Sequence, residues 1–340
     1  MIKKDMDWKN IGFQYRKTNG YVYAKCINGK WGEVQFSTDE YFPIHIAANV
    51  LHYGQACFEG MKAFTTKDGK AAIFRPNMSA KRMNRSAQRA VMEKVPEELF
   101  LKAVKEVVKK NIDYLPPYGT GSSMYIRPTL IGSGPTIGVT PSEEYTFFVL
   151  VTPVGPYYKE GFKPVQSIVI DEYDRAAPLG TGDTKLAGNY AAGILPAKKA
   201  KSLGYPIVLY LDSKEKKYVD EFGTSNFIGI TKDGKFKTPK SPSILPSITN
   251  DSLQIIAKDI GIEVVKEQIA IDDLNQFAEV GACGTAAVIT PIYSVKHNDK
   301  TYTFGEKEVA GETLTKLYNI LEGIRYGEIE DKYNWLEFVV

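Results

Sequence analysis

The sequence has few of the residues that build metal sites or disulfide frameworks. Only three cysteines and three histidines occur among 340 residues. Cys26, Cys57 and Cys283 lack the short spacing of metal ligands, and an odd number of cysteines does not fit a framework of paired disulfides. We therefore expect reduced thiols, a cytoplasmic location and no metal site.

Long apolar runs and a strong excess of one charge are also missing. The longest apolar stretch, 145–154, is far shorter than the ~20 residues of a membrane-spanning helix. The basic N-terminus has no apolar segment behind it, so no signal peptide is expected. The formal net charge is only +3, without the clustered basic face of a nucleic-acid-binding protein. These absences favour a soluble protein that acts on small molecules.

Length and pattern predict two domains of the α+β class. A chain of 340 residues exceeds the usual size of one hydrophobic core. Residues 151–161 have the proline and glycine density of a linker, so we predict an N-terminal domain over 1–152, a linker over 153–164 and a C-terminal domain over 165–340. Hairpins and separate helices do not alternate regularly, which favours α+β over a doubly wound sheet.

Several local elements can be predicted from spacing and capping residues. A basic helix is expected over about 77–92, and another up to Gly204 with a kink at Pro196. A helix that begins near 248 is expected to be capped by Thr249 or Asn250. The small residues of 278–287 predict a turn before the next strand.

The most informative stretch is Gly180-Thr-Gly-Asp-Thr-Lys-Leu-Ala-Gly, a turn of small residues that carries one lysine, Lys185. Its glycines allow other groups to approach the backbone closely. A lysine amine becomes nucleophilic at neutral pH when it is desolvated or lies near another cation. Most lysines are solvated surface charges, so the turn alone indicates a covalent catalyst without establishing one.

One secluded lysine, anion-binding turns and the lack of a metal site fit pyridoxal 5′-phosphate. Its aldehyde bonds to lysine, its ring accepts electrons, and its phosphate needs an arginine and backbone amides. The start of the helix near 248 could supply such amides. A nicotinamide cofactor fits less well, because Lys185 stands where the third glycine of its fingerprint would be. A Walker A loop is absent.

Five separated motifs resemble those of the branched-chain amino-acid aminotransferases, in the fold-type IV pyridoxal-phosphate family. They are LHYGQACFEGMKAF, the RP…KRMNRSAQR helix, GTGDTKLAGNYAA, YVDEFGTSNF and GACGTAA. The likeness extends from about Phe13 to Thr290. It implies a small N-terminal α/β domain, a larger C-terminal domain with a β-barrel-like sheet and surrounding helices, and a homodimer.

The resemblance implies cofactor contacts for eight residues. Lys185 matches the Schiff-base lysine, which also moves the proton between substrate and cofactor. Glu221 matches the carboxylate at the pyridine nitrogen, and the motif register selects it over the adjacent Asp220. Tyr190 matches the tyrosine at the ring oxygen, and Arg82 the arginine at the phosphate. The remaining implied contacts are Thr224, Ile248, Thr249 and Thr285.

The implied substrate pocket is apolar and aromatic, so it selects an aliphatic side chain by burial. Its walls would be Phe13, Tyr53, Phe58, Tyr125 and Tyr157, with Ile137 and Val139 from the other subunit. Thr285 and Ala286 would hold the α-carboxylate. Arg127 would orient tyrosine hydroxyls and help to hold the γ-carboxylate of glutamate.

The activity implied is amino-group transfer between L-leucine, L-isoleucine or L-valine and 2-oxoglutarate. A D-amino-acid aminotransferase or an aminodeoxychorismate lyase on the same fold is the first alternative, and a non-catalytic pyridoxal-phosphate carrier is the second. LHYGQACFEGMKAF and the Tyr-Ile-Arg-Pro segment argue against the first. The set of Lys185, Tyr190 and Glu221 argues against the second.

Overall fold

Two β-sheets organise the chain, and the computed structural model describes residues 3–156 and 162–339. The chain divides into two compact units. Unit 1 comprises Met1–Lys159, Thr184–Gly188 and Gly323–Val340, and unit 2 comprises Glu160–Asp183 and Asn189–Glu322. This division differs from the predicted domain ranges because two later segments, Thr184–Gly188 and Gly323–Val340, belong to the unit that contains the N-terminal residues. The predicted linker at 153–164 stays a prediction.

The strands of the described residues are, in chain order, β1 (Tyr21–Ile27), β2 (Lys30–Trp31), β3 (Gln35–Ser37), β4 (Ala56–Phe58), β5 (Met61–Thr65), β6 (Ala71–Phe74), β7 (Ser123–Gly132), β8 (Glu144–Val154), β9 (Val165–Val169), β10 (Ile207–Leu211), β11 (Val219–Phe222), β12 (Ser225–Thr231), β13 (Phe236–Pro239), β14 (Val264–Glu267), β15 (Phe277–Gly284), β16 (Val288–His297), β17 (Lys300–Thr303) and β18 (Leu336–Phe338). The helices are α1 (Asn49–Tyr53), α2 (Pro76–Arg89), α3 (Glu97–Lys110), α4 (Ala187–Ala192), α5 (Ile194–Ser202), α6 (Ile248–Asp259) and α7 (Glu312–Arg325). Short 3₁₀ turns cover Ile112–Tyr114 and Ile271–Gln276.

Unit 1 is an antiparallel sheet with two helices packed on it. The strand order is β18-β6-β5-β7-β8-β1-β2, and β3 and β4 pair with β1 and β7. In α2, Pro76 takes the first helical position, where its missing N–H is tolerated. The buried residues Ala80, Met83 and Ala87 recur at helical spacing and pack against the core. This orientation fixes the positions of Arg82 and Ser86 on α2.

Unit 2 contains a closed barrel of six strands. The order β11-β10-β9-β16-β15-β12 closes because β12 pairs again with β11. Phe222 and Phe227 stack inside it, with ring centroids 5.9 Å apart. A Cβ on Gly229 would lie 2.4 Å from the ring of Phe277, so this barrel needs glycine there. The predicted α+β class and the implied β-barrel-like sheet are confirmed.

Three local predictions need correction. The predicted helix up to Gly204 is two helices that meet at Gly193, and Pro196 lies in the first turn of α5, where no intrahelical N–H bond is lost. The cap of α6 is Ser247, whose hydroxyl accepts the Asn250 amide 3.1 Å away. Neither predicted cap fills that role, because both lie inside the helix.

The third correction concerns the predicted turn over 278–287. Most of it is strand β15, and only the three residues from Thr285 to Ala287 connect β15 to β16. The small residues serve packing inside the barrel: a Cβ on Gly281 would lie 2.9 Å from Ile289 Cγ2. None of the helices in the described ranges is long and apolar enough to cross a membrane.

Candidate active site

The backbone of Lys185 is held on both sides by unit 1. Its carbonyl accepts the Phe58 amide at 3.1 Å, and its own amide donates to Ser86 Oγ at 2.9 Å. The following residue, Leu186, forms an isolated bridge with Cys57. Lys185 Nζ lies 4.7 Å from the centroid of the Phe58 ring. The lysine is therefore half-buried against an aromatic face, which is the setting expected for a reactive amine.

Arg82 is fixed by a two-point ion pair with Glu59. Arg82 Nε donates to Glu59 Oε1 at 2.8 Å, and Nη2 donates to Oε2 at 2.7 Å. The Glu59 side chain is fully buried and that of Arg82 is 10% exposed. Paired N–H···O bonds of this kind fix both the plane and the position of a guanidinium group.

A chain of contacts joins four predicted substrate residues to Lys185. Phe13 packs edge-on against Tyr125, with centroids 5.2 Å apart. Arg127 Nη2 donates to the Tyr125 hydroxyl at 3.0 Å, and Arg127 Cζ lies 4.7 Å from the Phe58 centroid. A Cβ on Gly60 would lie 2.3 Å from the Tyr125 hydroxyl, so the glycine makes room for that ring.

Tyr53, Ile137 and Val139 form a separate exposed group. The Tyr53 hydroxyl donates to the carbonyl of Ile137. Ile137 and Val139 are 74% and 84% exposed. Tyr157, the last predicted substrate residue, lies outside the described residues.

Glu221 is a buried carboxylate with two hydrogen-bond donors and one ion-pair partner in unit 2. Oε1 lies 3.0 Å from Arg175 Nη2 in the ion pair and accepts from the Leu245 amide at 3.1 Å. Oε2 accepts from Asn226 Nδ2 at 2.6 Å. Burial raises the pKa of Glu221 to about 7, and the Arg175 charge and these hydrogen bonds oppose that rise. A carboxylate has about four acceptor positions, so one position on Oε2 is left for a further donor.

Buried polar side chains fix the orientation of Asn226 and connect it to α6. Asn250 Nδ2 donates to Asn226 Oδ1 at 3.2 Å and to Thr238 Oγ1 at 2.8 Å. Gln254 Nε2 in turn donates to Asn250 Oδ1 at 2.9 Å. Satisfied buried networks of this kind hold their members rigidly.

The start of α6 has features that suit an anion. Ser247 caps the Asn250 amide, whereas the amides of Ile248 and Thr249 have no hydrogen-bond partner among the described residues. Unpaired N–H groups at a helix start point outward together and attract anions.

Two of the turns that join neighbouring strands lie at the same edge of the barrel. Thr224 is exposed in the turn from β11 to β12, and Thr285 and Ala286 are half-buried in the turn from β15 to β16. Because β12 and β15 are antiparallel neighbours, with Asn226 opposite Cys283, the two turns emerge at the same edge. Val288 closes the second turn with a φ of 66°, an unusual conformation for a β-branched residue.

Tyr190 lies on α4 and directly follows Asn189, whose side chain is fixed by two hydrogen bonds. Thr181 Oγ1 donates to Asn189 Oδ1 at 2.6 Å, and Asn189 Nδ2 donates back to the Thr181 carbonyl at 2.8 Å. These two bonds close the turn ahead of α4 and fix the start of the helix that carries Tyr190.

The family is shown by comparison with known proteins. The model of the class IV amino-transferases matches residues 56–295. The chain is 49% identical, over 98% of its length and 98% of the relative, to the branched-chain-amino-acid aminotransferase of Haemophilus influenzae. It is 46% identical, with the same coverage, to that of Helicobacter pylori.

The chain belongs to the branched-chain aminotransferases of class IV.

Solved structures agree with this assignment. The branched-chain amino acid aminotransferase of Escherichia coli matches with a TM-score of 0.80 and 28% identity, over 95% of this chain and 100% of that one. The T.th. enzyme with pyridoxamine 5′-phosphate matches with a TM-score of 0.81 and 27% identity, over 96% and 100%. The resemblance carried by the five motifs is confirmed. The chain is thus a pyridoxal-phosphate-dependent transaminase with small-molecule substrates.

The residues present fit that cofactor. Glu221 retains one acceptor position for a ring N–H, and the amides of Ile248 and Thr249 suit a phosphate. Among the described residues no cluster of side chains could hold a metal ion.

Sequence reasoning missed several residues that support the site. They are Glu59, Ser86, Arg175, Asn226 and Ser247. Glu59, Ser86 and Asn226 lie inside the quoted motifs, so their positions were available as a signal. Arg175 lies outside those motifs, and its tertiary contacts are not revealed by spacing.

Proposed function

We propose that this branched-chain aminotransferase transfers the amino group reversibly between L-leucine, L-isoleucine or L-valine and 2-oxoglutarate, as a homodimer in the cytoplasm. The observation that carries the proposal is the placement of Lys185 Nζ 4.7 Å from the centroid of the Phe58 ring, which Arg127 also contacts. A reactive amine lies there beside aromatic side chains that suit an aliphatic substrate.

Each cofactor residue has a role that follows from its chemistry. Bound pyridoxal phosphate supplies an electron sink for the bonds at the substrate Cα. Lys185 holds the cofactor and, when substrate releases it, moves the proton from Cα, general-base work that contributes roughly 10²–10⁴ in rate. Glu221 holds a proton on the ring nitrogen. Tyr190 donates to the ring oxygen, and Thr224 contacts the ring.

The phosphate is held by a cation and by amides. Arg82 contributes its fixed guanidinium, and Ile248 and Thr249 contribute the first amides of α6. Thr285 adds a further contact.

The substrate is selected by burial of its side chain. Phe13, Phe58, Tyr125 and Tyr157 provide apolar walls, and burial contributes about 0.8 kcal/mol per CH₂. The turn amides of Thr285 and Ala286 bind the α-carboxylate. Arg127 orients the Tyr125 hydroxyl and binds the γ-carboxylate of glutamate.

A homodimer would cover the exposed group described above. Tyr53 is 45% exposed, and Ile137 and Val139 are exposed still further. Clustered exposed apolar side chains mark interaction surfaces, and we assign Ile137 and Val139 to the substrate pocket of the second subunit, with Tyr53 as a wall of the pocket in its own subunit. Size determination in solution tests this: a dimer is expected, and a stable active monomer would contradict it.

Addition of single amino acids to the purified protein tests the activity. L-leucine and L-glutamate should rapidly convert the cofactor spectrum to that of the pyridoxamine form, and D-alanine should not. Reaction with D-alanine but not with L-leucine would indicate a D-amino-acid aminotransferase. Bound cofactor that no amino acid converts would indicate a carrier, and pyruvate release from aminodeoxychorismate would indicate a lyase.

A further inference from the structure

Arg175 makes contacts that none of the roles assigned above explains. It follows β9, and its side chain is only 10% exposed. Its Nη2 lies 3.0 Å from Glu221 Oε1, donates to the Gly182 carbonyl at 3.0 Å, and also contacts the Ser243 carbonyl. One nitrogen therefore meets a buried carboxylate and two backbone carbonyls.

The three acceptors belong to three segments that carry proposed cofactor residues. Glu221 is on β11. Gly182 lies three residues before Lys185 in the small-residue turn, and Ser243 lies five residues before Ile248 at the start of α6. Arg175 thus connects the ring-nitrogen carboxylate with the segments that lead to the lysine and to the phosphate amides.

The glycine at position 182 is required by this connection. A Cβ there would lie 2.3 Å from the Ser243 carbonyl oxygen and 2.6 Å from Arg175 Nη2. Contacts this short cannot exist without displacement of one partner. The lack of a side chain at Gly182 therefore allows Arg175 to lie against both carbonyls.

The segment after Ser243 is also connected to Glu221 by hydrogen bonds, through Leu245. The Leu245 amide donates to Glu221 Oε1, and Asn226 Nδ2 donates both to Glu221 Oε2 and to the Leu245 carbonyl, the latter at 3.1 Å. Arg175 brings a full positive charge to this carboxylate, whereas its two hydrogen-bond donors, the Leu245 amide and Asn226, are neutral. Burial favours the neutral acid, and the guanidinium favours the anion.

We propose that Arg175 is a positioning residue that keeps Glu221 ionised and aligned, so that Glu221 can hold a proton on the ring nitrogen of the cofactor. The proposal rests on the proposed function, because it concerns the same carboxylate. Arg175 does not touch the reacting atoms; it acts through Glu221 and through the two carbonyls that it holds.

The test compares wild type, R175M and R175K as holoenzymes. R175M should lower kcat for L-leucine by roughly 10- to 100-fold, as loss of an outer hydrogen-bonding partner typically does, with little change in KM. With a cofactor isotopically labelled at the ring nitrogen, NMR should show loss of the ring proton in R175M. R175K retains the charge, so it should retain part of the ring-proton signal while kcat stays reduced. Cofactor affinity, measured by titration of the stripped full chain, should weaken in both variants.

R325M is the matched control. Arg325 is also buried, and it packs on Phe64 and Phe74 in unit 1. R325M should lower the melting temperature without changing kcat or the ring-nitrogen signal.

Wild-type kcat and wild-type signal in R175M would overturn the proposal. If R175M does not fold, R175K with wild-type values in both measurements would overturn it equally. Failure of the wild type to turn over L-leucine would instead contradict the proposed function.

Discussion

The backbone amide of Lys185 donates a hydrogen bond of 2.9 Å to the hydroxyl of Ser86, and that hydroxyl donates in turn to the carbonyl of Arg82 at 3.1 Å. One buried serine therefore links the backbone of the lysine to the helical turn that carries Arg82. Two groups that the sequence separates by about a hundred residues are positioned by a single side chain.

Replacement of Ser86 by alanine should remove a hydrogen bond that fixes the backbone of Lys185. S86A leaves the Lys185 amide without its acceptor, and a buried unpaired donor costs about 1–3 kcal/mol. We expect a lower free energy of unfolding by that amount, together with a several-fold loss of kcat. Ser79 is equally buried on the same helix, so S79A serves as the control and should leave kcat unchanged. Equal kcat values for S86A and wild type would contradict this role.

Two glycines of the lysine turn should respond oppositely to alanine. A Cβ on Gly182 would overlap the Ser243 carbonyl and Arg175, whereas a Cβ on Gly188 meets nothing within 4 Å. G182A should be strongly destabilised. G188A lies in α4, where alanine is favoured over glycine by roughly 0.5–1 kcal/mol, so it should be neutral or stabilising. Thermal unfolding of both variants checks this, and equal tolerance would show that the turn does not need Gly182.

The sequence allowed the residues with a proposed chemical role to be predicted, but not all of the residues that hold them in position. Lys185, Glu221 and Arg82 lie in motifs that resemble those of the branched-chain aminotransferases, so the resemblance could name them as cofactor residues. Ser86 and Arg175 act through contacts between distant segments, and no local spacing marks them. The small residues of 278–284 were misread for a related reason: close packing in a barrel and a tight turn both require small side chains.

The fold was predictable where pattern and capping agree. Helix α2, which the sequence predicts over about 77–92, is found at Pro76–Arg89. Closure of the barrel depends on β9 pairing with β16 and on β12 pairing with β15, and periodicity does not encode such contacts between distant segments. The short strand β18 gains its order from pairing with β6, and its own sequence carries little signal.

Arg82 should not be replaceable by lysine. R82K cannot form the two parallel bonds to Glu59, whose carboxylate would keep a single partner in a fully buried position. We expect weaker cofactor binding, by roughly 10-fold, and a loss of about 1–3 kcal/mol in stability. Fluorescence titration of the stripped protein with pyridoxal phosphate measures the affinity. R85K, at an exposed position of the same helix, is the control, and similar affinities for the two variants would refute the assignment.

The raised pKa of Glu221 predicts a pH-dependent stability of the cofactor-free protein. The folded pKa is about 7 against an ordinary value of 4.5, so between these values the folded state binds more protons than the unfolded state. Stability should therefore fall as pH rises from 4.5 to about 7, by about 1.4 kcal/mol per pH unit within the window.

E221Q removes the titrating group and isolates this effect. The slope of unfolding free energy against pH should be smaller in E221Q than in wild type. Burial also raises the pKa of Asp220, so the slope that remains in E221Q includes the contribution of this carboxyl. Chemical denaturation of both stripped proteins at pH values across the window measures the slopes. Identical slopes would show that Glu221 is ionised throughout.

The proposed function depends most on the assignment of Lys185 as the lysine that carries the cofactor. Borohydride reduction of the holoenzyme, followed by proteolysis and peptide mass mapping, tests it most directly. We expect the phosphopyridoxyl label on the peptide that contains Lys185, and no label on K185A. Label on a different lysine, or undiminished labelling of K185A, would contradict the assignment.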